Sequence, residues 1–254
     1  MTTLANTLTI ITGASSGIGR ACAHLYRRYH SKLLLVDINA EHLDTLIAEL
    51  NAGDEVLSLV ADVTNEADME NMAQQAVARF GRIDTLIASA GILRLGGLLK
   101  TVHDMSYQEW NRVLQVNLTG TFLSNRAVLP TMMAQKGGDI INISSTSGRQ
   151  AHAFDSAYAA SKFGVIGLSE ALAEEVSGFG VRVQTVLPDA VDTPIWEQNG
   201  PAAMRAQDNL TAERVAEFIY FMNTLPRDSY LLNPIIAPMK TRKRRGKKQK
   251  STDE

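Results

Sequence analysis

The chain has 254 residues, enough to bury a large core as one α/β domain or two small ones. Apolar residues make up an ordinary 45%, and no run approaches the length of a membrane-spanning helix, so a membrane protein is not expected. The formal net charge of −2 hides an asymmetry: residues 240–254 hold eight of the 25 Lys and Arg and two of the 27 Asp and Glu, leaving −8 on the body and +6 on the tail.

Apolar runs alternate with helical patterns along the body. Leu8–Thr12 (LTIIT) reads as a short buried strand, followed by Gly13-Ala-Ser-Ser-Gly17-Ile-Gly19 and a helical pattern over 20–29. Strand, glycine-rich turn and helix is the context in which glycines let the backbone approach a pyrophosphate at a helix N-terminus. The spacing is GxxxGxG rather than GxGxxG, a weak match by itself. Lys32–Asp37 (KLLLVD) strengthens it, being a second apolar strand that ends, about 20 residues on, in an acid placed for a ribose 2′-hydroxyl. A helix over 40–50, a strand over 55–60 running into Asp62 and Val63, and a helix spaced through Met69, Met72, Ala76 and Phe80 follow. A strand over 84–88 closes in Ser89-Ala90-Gly91. This β–α alternation predicts one parallel sheet with helices on both faces and no internal domain boundary.

Residues 92–100 read as a loop in which Arg94 is the only charge before Lys100, and 105–135 as one or two helices containing Asn117 and Pro130. The stretch 139–167 then concentrates chemistry. Ile140, Ile141 and Ile143 predict a buried strand ending in Ser144 and Ser145, followed by a loop and a small-residue helix carrying Tyr158 and Lys162. Positions four apart share a helix face, so the phenol and the ammonium point the same way. A phenol of pKa about 10 is a poor acid at neutral pH, and a neighbouring ammonium is expected to lower it into use for proton transfer. Ser145 can hydrogen-bond the oxygen that gains or loses that proton.

Residues 181–187 form a sixth predicted strand, leading into Pro188-Asp189-Ala190-Val191-Asp192-Thr193. Residues 194–209 are short for a lid, with Trp196 and Met204 as apolar contacts; 211–225 read as a helix capped by Thr211. Residues 229–239 could add an edge strand broken by Pro234 and Pro238. The domain is expected to span 1–239 and to be followed by a disordered basic tail, 240–254. The five histidines show no metal-ligand spacing, so no metal is expected; His152, in the loop between Ser145 and Tyr158, could touch substrate. A lone cysteine, Cys22, and an N-terminus without signal features point to the cytoplasm.

Thr12-Gly13-xxx-Gly17-x-Gly19, Asp62-Val63, Ser89-Ala90-Gly91, Asn117, Ser145 and Tyr158-Ala-Ala-Ser-Lys162 together resemble the short-chain dehydrogenase/reductase family, in its compact single-domain branch, over roughly residues 7–193. The resemblance implies a Rossmann-type doubly wound parallel sheet in a single domain. It implies a catalytic tetrad of Asn117, Ser145, Tyr158 and Lys162, the gap of thirteen before the tyrosine selecting Ser145 over Ser144. Asn117 would distort its helix and hold a water linking Lys162 to solvent. Cofactor contacts would come from Gly13, Ser15, Ser16, Gly17, Ile18, Gly19, Asp37, Asp62, Val63, Ser89, Ala90, Gly91, Tyr158, Lys162, Pro188, Val191 and Thr193. Two positions depart from the pattern. Ser89 stands where the family usually has asparagine. Asp189 replaces the usual glycine near the nicotinamide end, so that either the loop takes an ordinary conformation or the carboxylate faces the substrate.

The expected function is an NAD(H)-dependent oxidoreductase interconverting a secondary alcohol and a ketone. NAD(H) is preferred over NADP(H) because Asp37 would repel a 2′-phosphate. A homo-oligomer, dimer or tetramer, is expected through helices at 105–135 and 155–178, which resemble those that pair subunits in the family. The alternative is a non-catalytic dinucleotide-sensing protein whose basic tail contacts nucleic acid or another polyanion. The complete tetrad and the negative body disfavour that, and the tail reads first as a solvated extension.

Overall fold

In the computed structural model the described residues are 3–51, 53–200 and 209–239. The tail at 240–254 and Met204 lie outside them. Five βα units open the chain: β1 (Leu8–Thr12), α1 (Gly17–Arg28), β2 (Lys32–Asp37), α2 (Ala40–Leu50), β3 (Val56–Val60), α3 (Glu66–Phe80) and β4 (Thr85–Ala88), followed by α4 (Tyr107–Leu114) and α5 (Gly120–Gln135), then β5 (Gly138–Ile143) and α6 (Ser156–Val176). After β6 (Val181–Pro188) come two short paired strands, β7 (Val191–Asp192) and β8 (Leu210–Thr211), then α7 (Ala212–Asn223) and β9 (Ile235–Ile236).

Seven strands form one parallel sheet in the order β3-β2-β1-β4-β5-β6-β9. Each central strand is apolar on both sides because both faces are covered. Ile10, Leu34, Leu86 and Ile140 pack against Met69, Met72 and Val128 on one face. Ile11, Leu33, Leu35 and Ile141 pack against Cys22, Tyr26 and Ile219 on the other. Strand order reverses between β1 and β4, and the crevice beyond the carboxyl ends of strands at such a switch is where this architecture binds ligands.

The segment 229–239 contributes less sheet than its apolar residues suggest. Only Ile235 and Ile236 pair, alongside Leu187 and Pro188, with Pro234 and Pro238 removing donors on either side. Among the described residues no helix is long and apolar enough to cross a membrane.

Candidate active site

A single cleft of about 450 Å³ runs over the carboxyl ends of β1, β2, β4, β5 and β6. Asp37 and Ile38 line one end; Ser145, Tyr158, Asp189 and Trp196 line the other, with Lys162 set into the wall.

The first end is built on tight backbone approach. Gly13 sits at φ +63°, and a Cβ there would lie 2.7 Å from the Cα of Ala90. A Cβ on Gly19 would lie 2.1 Å from the Gly13 carbonyl oxygen, so any side chain would push α1 off β1. Ser16, the residue before α1, makes no side-chain cap, which leaves the helix N-terminal N–H groups open toward the cleft. The Asp37 carboxylate accepts hydrogen bonds from the backbone N–H of Ser15 (3.0 Å) and of Asn39 (3.1 Å). The acid at the end of β2 therefore also pins the glycine turn after β1. Gly13, Ser16, Gly17, Ile18, Asp62, Val63, Ser89, Ala90, Gly91, Pro188, Val191 and Thr193 line the cleft, whereas Ser15 and Gly19 stand behind it as supports.

The other end depends on how β5 and α6 are joined. Ser144 is buried, its hydroxyl donating to the Lys162 carbonyl at 2.8 Å, and a Cβ on Gly148 would come within 2.8 Å of the same oxygen. Ser144 is thus spent on docking α6, while Ser145 faces the cleft and accepts from the Ser147 N–H at 3.1 Å. Lys162 is 5% exposed; its Nζ donates to the Ile143 carbonyl at 2.8 Å and lies 5.6 Å from the centre of the Tyr158 ring.

The ionisation of this pair corrects the sequence expectation. Burial pushes the Tyr158 phenol up to about 12, against the Ser145 hydroxyl, which draws it down; the Asp155 charge raises it further. Burial also brings Lys162 down to about 8. Burial thus raises the phenol and lowers the ammonium, opposing the lowering of the phenol expected from a neighbouring charge. Close to neutral pH the pair consists of a protonated phenol beside an ammonium.

Asn117 lies in a widened helical turn, Gln115–Thr119, with π-type geometry between α4 and α5. Both of its amide hydrogens are used, donating to the Ile92 carbonyl (2.8 Å) and the Ser161 hydroxyl (3.0 Å), while Oδ1 accepts from the Ile92 N–H (2.8 Å). Its side chain is a brace between the segment after β4 and the helix of Tyr158 and Lys162. A second brace lies at the Tyr158 end: Arg94 donates to the Asp155 carboxylate (2.5 Å) and to the Phe154 carbonyl (3.2 Å). Phe154 is held at φ +69°, a conformation that costs a bulky residue about 1–3 kcal/mol and persists only where its surroundings enforce it.

Several lining residues carry no motif. Arg112, on α4, reaches the cleft and pairs with Asp62 at 3.5 Å, and Trp196 donates its indole N–H to the Val191 carbonyl at 2.7 Å. Arg112 precedes Asn117 by five residues on a helical stretch, the only hint of its placement. His152 and Asp189 line the same end as Tyr158, and Arg149 is exposed. Asp189 has no left-handed backbone angle, so the position tolerates a side chain without strain.

A parallel sheet with a glycine turn at its switch point, and a Ser–Tyr–Lys cluster across the same crevice, defines a dinucleotide-handling oxidoreductase. Comparison with known proteins agrees. The short chain dehydrogenase family model matches residues 7–203. The D-threitol dehydrogenase of Mycolicibacterium smegmatis is 40% identical over 196 residues, covering 76% of this chain and 74% of that protein. The 3-oxoacyl-acyl-carrier-protein reductase of Thermotoga maritima is 36% identical over 190 residues, covering 74% and 76%. The crystal structure of levodione reductase superposes with a TM-score of 0.83 at 31% identity, covering 92% of this chain and 96% of that one. The chain belongs to the short-chain dehydrogenase/reductase family, oxidoreductases that act on alcohol and ketone groups with nicotinamide dinucleotides.

Proposed function

We propose that the protein interconverts a secondary alcohol and a ketone with NAD(H), using Tyr158 as general acid–base. The observation that carries this reading is one continuous cleft with a carboxylate and an open helix N-terminus at one end and Ser145, Tyr158 and Lys162 at the other. The residues fit a dinucleotide. Gly13 and Gly17, both at positive φ, let the turn lie close against Ala90 and Thr193, and the uncapped start of α1 offers N–H donors to a pyrophosphate. Asp37 would take the adenosine ribose, Asp62 and Val63 the adenine, and Lys162 the nicotinamide ribose. When bound, the nicotinamide supplies the hydride chemistry.

The chain's own groups orient the substrate and move the proton. Ser145 holds the reacting oxygen beside Tyr158. Burial keeps the phenol protonated, so its proton is in place for ketone reduction; in the opposite direction it must first lose that proton, which a neighbouring ammonium at Lys162 favours. Asn117 and Arg94 fix the two segments between which the substrate enters. Asp37 favours NAD(H), since a 2′-phosphate would meet a carboxylate already fixed by two N–H groups. Two of the relatives above are named as reductases and one as the dehydrogenase of an alcohol, which supports this reaction class.

The protein is expected to act in the cytoplasm as a homo-oligomer, with residues 1–239 as the catalytic domain. A panel of secondary alcohols and ketones, followed by nicotinamide absorbance with both cofactors, tests the reading. Turnover that disappears in Tyr158→Phe supports it. Dinucleotide binding with no turnover across the panel would favour the sensing alternative.

A further inference from the structure

We propose that Asp189 makes the reacting end of the cleft selective for positive charge, so that the protein binds the oxidised, cationic nicotinamide in preference to the neutral reduced one. The inference rests on the oxidoreductase reading above and concerns the redox state that the site holds.

Three observations carry it. Asp189 lines the cleft directly after Pro188, and its carboxylate accepts from the Thr146 hydroxyl at 3.3 Å, next to Ser145. Its charge therefore lies at the Tyr158 end, remote from Asp37. Secondly, the position is held: the Asp189 N–H donates to the Ile236 carbonyl at 2.9 Å, tying the loop to β9 with ordinary backbone angles. Thirdly, the charge is uncompensated. Asp155 is paired with Arg94, Asp62 with Arg112 and Asp139 with Arg182, but among the described residues no cation lies within ion-pairing distance of Asp189.

A carboxylate that accepts only one hydroxyl hydrogen bond keeps acceptor capacity and charge directed at whatever fills the cleft. The two redox forms of the cofactor share both phosphates and both riboses. They differ at the nicotinamide ring, which carries a positive charge only when oxidised. Lys162, His152 and the Arg94–Asp155 pair also surround this end, and they act on wild type and variant alike. A change at Asp189 therefore isolates one charge–charge interaction. Across an intermediate dielectric, discounted for solvent, that interaction corresponds to about tenfold in affinity.

The test is direct binding without substrate. Dissociation constants of NAD+ and NADH are measured by titration calorimetry for the wild type, Asp189→Asn and Asp189→Gly at constant ionic strength. The ratio Kd(NADH)/Kd(NAD+) should fall about tenfold in both neutral variants, and Asp189→Glu should retain most of it. Should the asparagine variant not fold, the glycine variant, which restores the residue usual in the family, gives the same comparison. An unchanged ratio in a neutral variant that still binds both forms would overturn the proposal while leaving the oxidoreductase reading intact. A wild-type protein that binds neither form would overturn both.

Discussion

Lys162→Met separates stability from function in a way that the burial of this lysine makes quantitative. The ammonium is 5% exposed, among the described residues it hydrogen-bonds the Ile143 carbonyl, and burial lowers its pKa from 10.5 to about 8. At about 1.4 kcal/mol per tenfold in protonation, holding that charge in the fold costs about 3 kcal/mol at pH 7. The sign follows from proton counts. Below pH 8 folded and unfolded states both carry the proton, and the whole penalty applies. Between about 8 and 10.5 the unfolded chain binds a proton that the folded one has released, so stability rises with pH. Methionine removes the charge at similar volume but strands the Ile143 carbonyl, which costs about 1–2 kcal/mol. The variant should therefore be about 1–2 kcal/mol more stable than wild type at pH 7 and less stable by a similar amount near pH 10.5. Paired urea melts at the two pH values measure this, since all other titrations cancel in the difference. A difference that does not change with pH would refute the reasoning. The same variant should lose turnover and weaken dinucleotide binding.

Tyr158→Phe should keep fold and cofactor affinity but lower turnover by about 10²–10⁴-fold; more than a tenth of wild-type activity at saturating cofactor would remove the phenol from its role. Asp37→Ser with Ile38→Arg should reduce or reverse the NAD(H) preference, read as the ratio of kcat/KM with the two cofactors, and equal values in the unmutated protein would sink the preference itself. Gly148→Ala should destabilise by about 1–3 kcal/mol in urea melts, because the new methyl meets the Ser144 hydroxyl at 2.7 Å and the Lys162 carbonyl at 2.8 Å. Sedimentation at micromolar concentration should show a dimer or tetramer; a monomer would contradict the pairing expected of the helices at 105–135 and 155–178.

What could be read from sequence was local. A strand ending in an acid, a glycine turn before a helix, and Tyr158 four residues before Lys162 are each set by backbone periodicity within a few residues. The sheet followed from the same alternation, except at 229–239, where two prolines cut the pairing to Ile235 and Ile236. What was not legible depends on segments remote in the chain. Arg112 reaches Asp62 across fifty residues, Arg94 reaches Asp155 across sixty-one, and neither partner announces the other. The pKa values belong to the same class. The lysine's effect on the phenol was argued from spacing, whereas the burial that raises the phenol comes from packing around α6. The choice of Ser145 over Ser144 came from the family's spacing to the tyrosine, and the structure shows Ser144 spent on the Lys162 carbonyl.

The hydrogen bond from Ser15 to Asp37 bears on how such a protein could change cofactor over evolutionary time. The carboxylate proposed to discriminate between ribose and its phosphate also anchors the turn that would cradle the pyrophosphate. A single substitution at Asp37 therefore removes an unfavourable charge and loosens the turn together. An ancestor drifting toward NADP(H) would pass through an intermediate that tolerates the new phosphate yet holds any dinucleotide poorly. A replacement residue that re-anchors the Ser15 N–H would have to arrive in the same step, and that requirement would make the proposed preference slow to reverse.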